Sequence, residues 1–160
     1  MRGSSEQAPA RLWKETVRPE WLDYNGHLNE AYFVLIFSHA TDAFMDRIGM
    51  DPASAERQVT SLYTLETHIR YLGECKAGDQ VEVATRLLEF DAKRYHCFHE
   101  MFLAGETGLL ATAEMVMLHV DMSGPKSAPF PDPVRAELEA LWQAHRDLPA
   151  PPHLNGAMGL

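Results

Sequence analysis

The stretch that decides the fold runs from Asp23 to Ile48 and reads Asp-Tyr-Asn-Gly-His-Leu-Asn-Glu-Ala-Tyr-Phe-Val-Leu-Ile-Phe-Ser-His-Ala-Thr-Asp-Ala-Phe-Met-Asp-Arg-Ile. Its first residues are typical of a tight turn, because Asn-Gly readily adopts positive φ. Asn29 is a good N-cap for a helix predicted over residues 31–48, and Gly49 is a typical helix stop. The first half of this helix is apolar on nearly every side, so other parts of the protein must cover it.

Strand-like segments flank this helix on both sides. A first strand is predicted over residues 13–18, and four more over 59–72, 80–90, 94–103 and 109–120, because apolar residues concentrate there between turn residues. The connectors between the last three segments are short enough for hairpins. We therefore expect an α+β fold in which a curved antiparallel sheet wraps around one long buried helix.

The rest of the chain predicts one domain with loose ends. Its 160 residues are typical of a single domain. Residues 1–10 are small and polar and are expected to form a flexible arm. The domain is predicted over residues 11–146, ending in a helix over 132–146, and the Pro- and Gly-rich residues 147–160 are expected to form a flexible tail.

Composition and charge exclude several classes of protein. The chain has 14 Lys and Arg residues against 23 Asp and Glu, so its net charge of −9 has the wrong sign for a nucleic-acid binder. No apolar stretch is long enough to span a membrane, and two cysteines, Cys75 and Cys97, are too few for a disulfide framework. We expect a cytoplasmic protein.

One helix leaves part of the sheet uncovered, which predicts a homodimer or a tetramer built of dimers.

Several patterns that resemble catalytic or metal sites do not have the required geometry. His96 and His99 would point to opposite faces of a strand, so no metal site is predicted. Ser38 and His39 diverge by roughly 100° on a helix, which argues against a nucleophile–base pair. The remaining candidate is Asp23, because a helix start offers unpaired N–H groups and a positive dipole end to a developing oxyanion. A purely structural role for Asp23 in the turn is the alternative.

The sequence from Val17 to Tyr32 follows the pattern Val-x-Pro-x-Trp-x-Asp-x-Asn-Gly-His-x-Asn-x-x-Tyr. With residues 66–71 (Glu-Thr-His-Ile-Arg-Tyr) and 76–79 (Lys-Ala-Gly-Asp), it resembles the hot-dog-fold acyl-CoA thioesterases of the 4-hydroxybenzoyl-CoA thioesterase-like branch. Within that branch the chain is most similar to the betainyl-CoA and carnitine-pathway thioesterases. The resemblance covers roughly residues 13–121.

The resemblance implies a catalytic carboxylate at Asp23 and a thioester carbonyl polarised by backbone N–H groups at the helix start. It also implies a site between two subunits, an acyl-CoA substrate, and no cofactor beyond the CoA of that substrate. Asn25 is a candidate to hydrogen-bond the attacking water, and His27 to orient Asp23 or the substrate. Each has a local role in the turn as its alternative.

Candidate substrate-binding residues surround this turn. Gly26 lets the backbone approach a ligand closely. An aromatic box for a quaternary ammonium could form from Trp21, Tyr24 and Tyr32, with Glu66 as the countercharge. The alternatives are core positions for the aromatic residues and solvent exposure for Glu66. The candidates for the CoA phosphates are Arg70, Lys93 and Arg94.

We therefore expect hydrolysis of a short polar acyl-CoA, similar to betainyl-CoA, with Asp23 as nucleophile or general base. A hot-dog enoyl-CoA hydratase is one alternative, although its Asp-x-Asn-Pro-x-His motif is only loosely matched by residues 23–27, which lack the Pro. A domain that binds acyl-CoA without turnover is the other alternative.

Overall fold

The computed structural model describes residues 8–50 and 60–160 of the chain. Its helices are a 3₁₀ turn (Pro19–Trp21), α1 (Glu30–Arg47) and α2 (Asp132–His145). Its strands are β1 (Arg11–Thr16), β2 (Thr60–Tyr71), β3 (Gln80–Phe90), β4 (Arg94–Leu103), β5 (Leu109–Asp121) and β6 (Lys126–Ser127). In the described residues they form one antiparallel sheet in the order β1-β3-β4-β5-β2, with β6 beside β5.

The architecture predicted from the sequence is confirmed, and most boundaries agree within one or two residues. The Asn29 side chain caps α1 by accepting the Ala31 N–H at 2.9 Å. β1 ends two residues earlier than predicted. Pro19 has a fixed φ and no N–H, so the chain leaves the β-ladder before this residue and enters the 3₁₀ turn.

The core lies between α1 and the inner face of the sheet. Phe44 packs edge-on against Tyr95 of β4, with ring centroids 5.3 Å apart, and Phe37 stacks on His99 at 5.9 Å. These four side chains are fully or almost fully buried. The buried apolar face of α1 is therefore covered by the centre of the sheet, as its composition requires.

The outer face of the sheet is covered by the end of the chain. The Arg86 guanidinium donates hydrogen bonds to the carbonyls of His145, Leu148 and Pro149. The Asn155 N–H donates to Glu114, and Met158 is buried. The sequence predicts a flexible tail over residues 147–160, whereas the structure packs this segment on the outer face. Composition misses this because the segment is anchored by single hydrogen bonds rather than by a periodic apolar pattern.

β2 forms one edge of the sheet and contains an irregularity that changes which side chains face α1. Thr64 pairs with Met117 and Glu66 with Val116, so Leu65 is an extra residue in a β-bulge. Thr64 and Thr67 therefore face α1 together, although they are three residues apart. Glu66 lies between them and faces away from α1.

Candidate active site

The Asp23 turn joins the 3₁₀ turn to α1. Leu22 and Leu28 form an isolated antiparallel bridge that closes the turn, and Gly26 adopts the positive φ of 78° that the turn requires. The Asp23 backbone N–H donates to the His27 carbonyl at 2.9 Å, and the Gly26 N–H donates to the Asp23 carbonyl at 3.0 Å. These bonds fix the backbone of Asp23 within the turn that leads into α1.

Only one oxygen of the Asp23 carboxyl group is used by the turn. Oδ1 accepts the Asn25 N–H at 2.8 Å and the His27 N–H at 3.4 Å. The described residues supply no donor to Oδ2. The side chain is half-exposed. Both interpretations of Asp23 are therefore compatible with the geometry, since one oxygen holds the turn while the other is left for chemistry.

The start of α1 offers fewer free N–H groups than the sequence suggests. The Ala31 N–H is taken by the Asn29 side chain, and the Tyr32 N–H donates to the Asn29 carbonyl at 2.9 Å. The described residues supply no acceptor for the Glu30 N–H. This group and the helix dipole are what the helix start can offer to a carbonyl oxygen.

Asn25 and His27 do not direct their side chains to Asp23. Nε2 of His27 lies 3.3 Å from a carboxylate oxygen of Glu74, and the ring is partly exposed. The Asn25 side chain is exposed, and its only hydrogen bond to Asp23 comes from its backbone N–H. Within one chain both residues therefore support the turn, while their predicted catalytic roles remain predictions.

The three aromatic residues of the predicted box are not brought together. Trp21 is 5% exposed, its ring stacks on Tyr32 at 5.4 Å, and the Arg18 guanidinium lies 5.0 Å from its centroid. Tyr24 is 98% exposed and stands apart from both. The Trp21 ring already has its partners, so in one chain it is a core residue rather than a free surface for an ammonium group.

The charged residues predicted for the substrate lie on two different surfaces. Glu66 and Arg70 are exposed on the face of β2 that points away from α1. Arg94 is bound to Asp91 through Nε at 2.9 Å and a terminal nitrogen at 2.6 Å, and Lys93 contacts the Ser127 hydroxyl at 3.2 Å. Arg94 and Lys93 lie beside Tyr95, at the end of the molecule opposite the Asp23 turn.

A cavity of about 270 Å³ lies between α1 and strands β2 and β5, and sequence reasoning did not find it. Its lining residues are Val34, Phe37, Ser38, Thr41, Asp42, Met45, Leu62, Thr64, Thr67, Ile69, Met115 and Met117. Asp42 is the one ionisable side chain among them. Its pKa is raised, chiefly because partial burial disfavours the charged form, with opposing effects of His39 and Asp46. The bulge in β2, which periodicity does not show, forms one wall.

The two histidines that resemble metal ligands in the sequence have structural partners. His99 is fully buried, with Nδ1 2.8 Å from the Thr85 hydroxyl and Nε2 3.1 Å from the Thr41 hydroxyl. Burial lowers its pKa to about 4, so the ring is neutral near pH 7. His96 points to the outer face, between Glu89 and Glu114. Among the described residues no cluster suited to a metal ion is present.

Comparison with known proteins identifies the family. Residues 17–138 match the model of the thioesterase-like superfamily. The chain belongs to this family. A betainyl-CoA thioesterase of Pseudomonas aeruginosa is 47% identical to this thioesterase over 148 residues, which are 92% of this chain and 93% of that protein.

Two further similarities support membership of the same family. An L-carnitine dehydrogenase/betainyl-CoA thioesterase of Rhizobium meliloti is 42% identical over 89% of this chain, which spans 29% of that longer protein. The crystal structure of a candidate thioesterase from Pseudomonas putida KT2440 superposes with a TM-score of 0.80 at 40% identity, covering 95% of this chain and 97% of that one.

The expectation of a hot-dog acyl-CoA thioesterase is confirmed. No helix in the described parts of this thioesterase is long and apolar enough to cross a bilayer.

Proposed function

We propose that this thioesterase hydrolyses betainyl-CoA, or a close relative with a small quaternary ammonium acyl group, to the free acid and CoA. The observation that carries the proposal is the Asp23 turn, which leaves one carboxylate oxygen uncommitted in front of α1. It occurs in a chain that is 47% identical, over nearly the whole length of both proteins, to a betainyl-CoA thioesterase. This similarity favours hydrolysis over the hydratase and the non-catalytic alternatives.

The helix start and Asp23 divide the chemistry between them. The carbonyl oxygen of the thioester lies at the positive end of the α1 dipole, where the Glu30 N–H donates to the oxyanion as it develops. Oδ2 of Asp23 either attacks the carbonyl carbon or removes a proton from a water molecule that attacks it. In both routes the C–S bond breaks and the CoA thiolate leaves.

The two routes give different products in labelled water when the anhydride of the nucleophilic route opens at its aspartyl carbon, because the acid then keeps an oxygen that came from Asp23. In the nucleophilic route Asp23 forms an anhydride with the acyl group, and water then hydrolyses it. A single turnover in ¹⁸O-water, with enzyme in excess, places the label in the acid for the general-base route. It places the label in Asp23 when water attacks the aspartyl carbon of the anhydride, and mass spectrometry of the active-site peptide reads out that result.

A homodimer completes this proposal. β2 has a free edge in the described chain, and large apolar side chains beside it are exposed, including Val34, Tyr63, Leu65 and Tyr71. Such a patch favours association. Sedimentation velocity at assay concentration tests this directly, because a compact and fully active monomer contradicts it.

A panel of thioesters tests the activity itself. Betainyl-CoA, butyryl-CoA and octanoyl-CoA are incubated with the protein while the free thiol is measured. Thiol release with the highest kcat/KM for betainyl-CoA supports the proposal. A preference for the alkyl chains removes the betainyl assignment and leaves the thioesterase activity intact. The cytoplasmic location and the absence of a separate cofactor remain predictions.

A further inference from the structure

The cavity between α1 and β2 combines apolar walls with a single carboxylate. Phe37, Met45, Met115 and Met117 are among its apolar lining residues, and Asp42 is an exposed residue on its wall. Its volume of about 270 Å³ is below the roughly 300–1,000 Å³ of sites for drug-sized ligands. The cavity therefore suits a small group rather than a whole CoA molecule.

This combination matches the chemistry of a quaternary ammonium. The methyl groups of such a cation cannot donate strong hydrogen bonds, so they need apolar contacts, and its charge needs a nearby carboxylate. Asp42 has a negative neighbour in Asp46, one turn further along α1, and partial burial already disfavours its charge. His39 partly offsets this effect on Asp42, but its Nδ1 lies 2.8 Å from a carboxylate oxygen of Glu15. A cation bound in the cavity would thus stabilise the negative charge of the Asp42 carboxylate.

Asp42 cannot serve the same substrate molecule as Asp23 of its own chain. From Ala31 to Asp42 the helix rises by about 16 Å at roughly 1.5 Å per residue. In a betainyl group the carbonyl carbon and the nitrogen are separated by one methylene, or roughly 2.5 Å. A carbonyl held at the start of α1 therefore leaves the ammonium far from Asp42 in the same chain.

A second copy of this chain removes the mismatch. α1 runs antiparallel to β2, because Phe33 near its start packs on Tyr71 at the end of β2, with centroids 5.4 Å apart. Two-fold antiparallel pairing of β2 with its own copy then places the two α1 helices antiparallel on one side of the joint sheet. The start of one α1 thereby faces the second half of the other, where Asp42 lies.

The exposed Tyr24 supports the same arrangement. It projects from the Asp23 turn with 98% of its side chain exposed, which is unusual for an aromatic residue on a turn held by several hydrogen bonds. In the paired arrangement this turn approaches the open side of the neighbouring cavity. An aromatic face there would add to the attraction for a cation.

We propose that the cavity beside Asp42 receives the quaternary ammonium of the acyl group, while the Asp23 turn of a second copy holds the thioester carbonyl. This inference rests on the proposed function, and it assigns to Asp42 the countercharge that the sequence assigned to Glu66. Asp42 is thus a specificity-determining residue, and each site is shared between two chains.

The first test compares two thioesters of the same shape. Betainyl-CoA and 3,3-dimethylbutyryl-CoA differ only in a quaternary nitrogen in place of a quaternary carbon. In Asp42→Asn the ratio of their kcat/KM values should fall at least about 10-fold, because a carboxylate in a partly desolvated site attracts only the cation. The matched controls Asp46→Asn and Glu66→Gln remove carboxylates outside the cavity and should leave the ratio within about twofold of wild type.

Each outcome of this test has a separate meaning. An unchanged ratio in Asp42→Asn overturns the inference and leaves the proposed function standing. A fall in Glu66→Gln instead assigns the countercharge to β2 and also overturns it. If the wild-type protein hydrolyses only the neutral thioester, the betainyl assignment fails together with the inference. If it hydrolyses neither, the proposed function fails as a whole.

The second test asks whether the two carboxylates act across two chains. Asp23→Asn and Asp42→Asn are co-expressed with different affinity tags, and the mixed dimer is purified through both tags. A shared site predicts that this dimer regains about half of the wild-type activity on betainyl-CoA, because one of its two sites contains both native carboxylates. If both carboxylates act within one chain, the mixed dimer has no intact site, and only its Asp42→Asn subunit retains Asp23. Activity of the mixed dimer no higher than half that of the Asp42→Asn homodimer therefore overturns the shared site.

Discussion

Asp23 and Glu114 are two carboxylates that backbone N–H groups hold in place, but they are satisfied to different extents. Glu114 is fully buried on the outer face, where one oxygen accepts from His96 at 2.8 Å and the other from the Asn155 N–H at 2.7 Å. Asp23 is half-exposed, and the turn uses only Oδ1. A carboxylate with both oxygens occupied can stabilise the fold but is not available to a substrate, whereas one with a free oxygen can react.

The largest effect expected from this difference is on activity. Asp23→Asn keeps an oxygen that accepts the turn N–H groups, yet it removes the free carboxylate oxygen. Turnover should fall by at least the roughly 10²–10⁴-fold typical of losing a general acid or base. The melting temperature should change little. If the variant keeps more than about a tenth of wild-type turnover, the contrast between the two carboxylates is wrong.

Glu114→Ala should show the opposite behaviour. Removing the Glu114 carboxyl leaves Nε2 of His96 and the Asn155 N–H without their acceptor, at a cost of about 1–3 kcal/mol in the free energy of unfolding for each unpaired donor. Urea denaturation measures this loss. At a temperature where the variant is folded, kcat per folded molecule should stay close to wild type, since Glu114 lies on the face of the sheet away from the cavity.

The inner face supplies a pH-dependent prediction that the outer face does not share. Burial lowers the pKa of His99 from 6.5 to about 4. As pH falls, the His99 ring therefore binds its proton at a higher pH in the unfolded chain than in the folded one. Its contribution to stability is complete above pH 6.5 and is lost as pH falls towards 4, by roughly 3 kcal/mol at most.

His99→Gln is the matched variant, because an amide can still hydrogen-bond to Thr41 and Thr85. Its free energy of unfolding should fall less steeply than that of wild type between pH 6.5 and 4. Equal slopes for the two proteins would show that His99 does not titrate in this range.

The smallest effect is expected at the helix start itself. Asn29→Ala removes the cap on the Ala31 N–H and should cost about 1 kcal/mol of stability. It also frees a second N–H group in front of Asp23. Circular dichroism melts measure the stability. On the same samples, a higher kcat shows that the freed N–H group assists hydrolysis, and a lower kcat shows that loss of the cap loosens the turn. Asn29→Asp, which keeps the cap, is the control.

The fold was predictable because strong local signals agree with one another. β3 and β4 have the predicted bounds, and Asn29 caps α1 as expected, because turn residues and apolar runs specify these elements locally. The site was predicted less fully. The bulge at Leu65 shifts the alternation of β2 by one residue, so Glu66 faces away from α1, and no periodic pattern reveals such an insertion.

Contacts between distant residues account for the other differences. Trp21 looks like a ligand-binding aromatic beside the turn, but stacking on Tyr32 and contact with Arg18 bury it. Asp42 lies well along α1, away from the turn that contains the sequence motif. The cavity that gives it a different role exists only once β2 and β5 pack against α1.

The placement of residues 147–160 limits how copies of this thioesterase assemble. Two sheets that stack face to face need bare outer faces whose side chains interdigitate. Here Arg86 and Glu114 bind the chain's own final segment over that face, so a neighbouring sheet would first have to displace it. In the proposed homodimer, pairing along β2 is self-complementary and ends after two copies. An assembly of four would therefore need a surface other than this covered outer face.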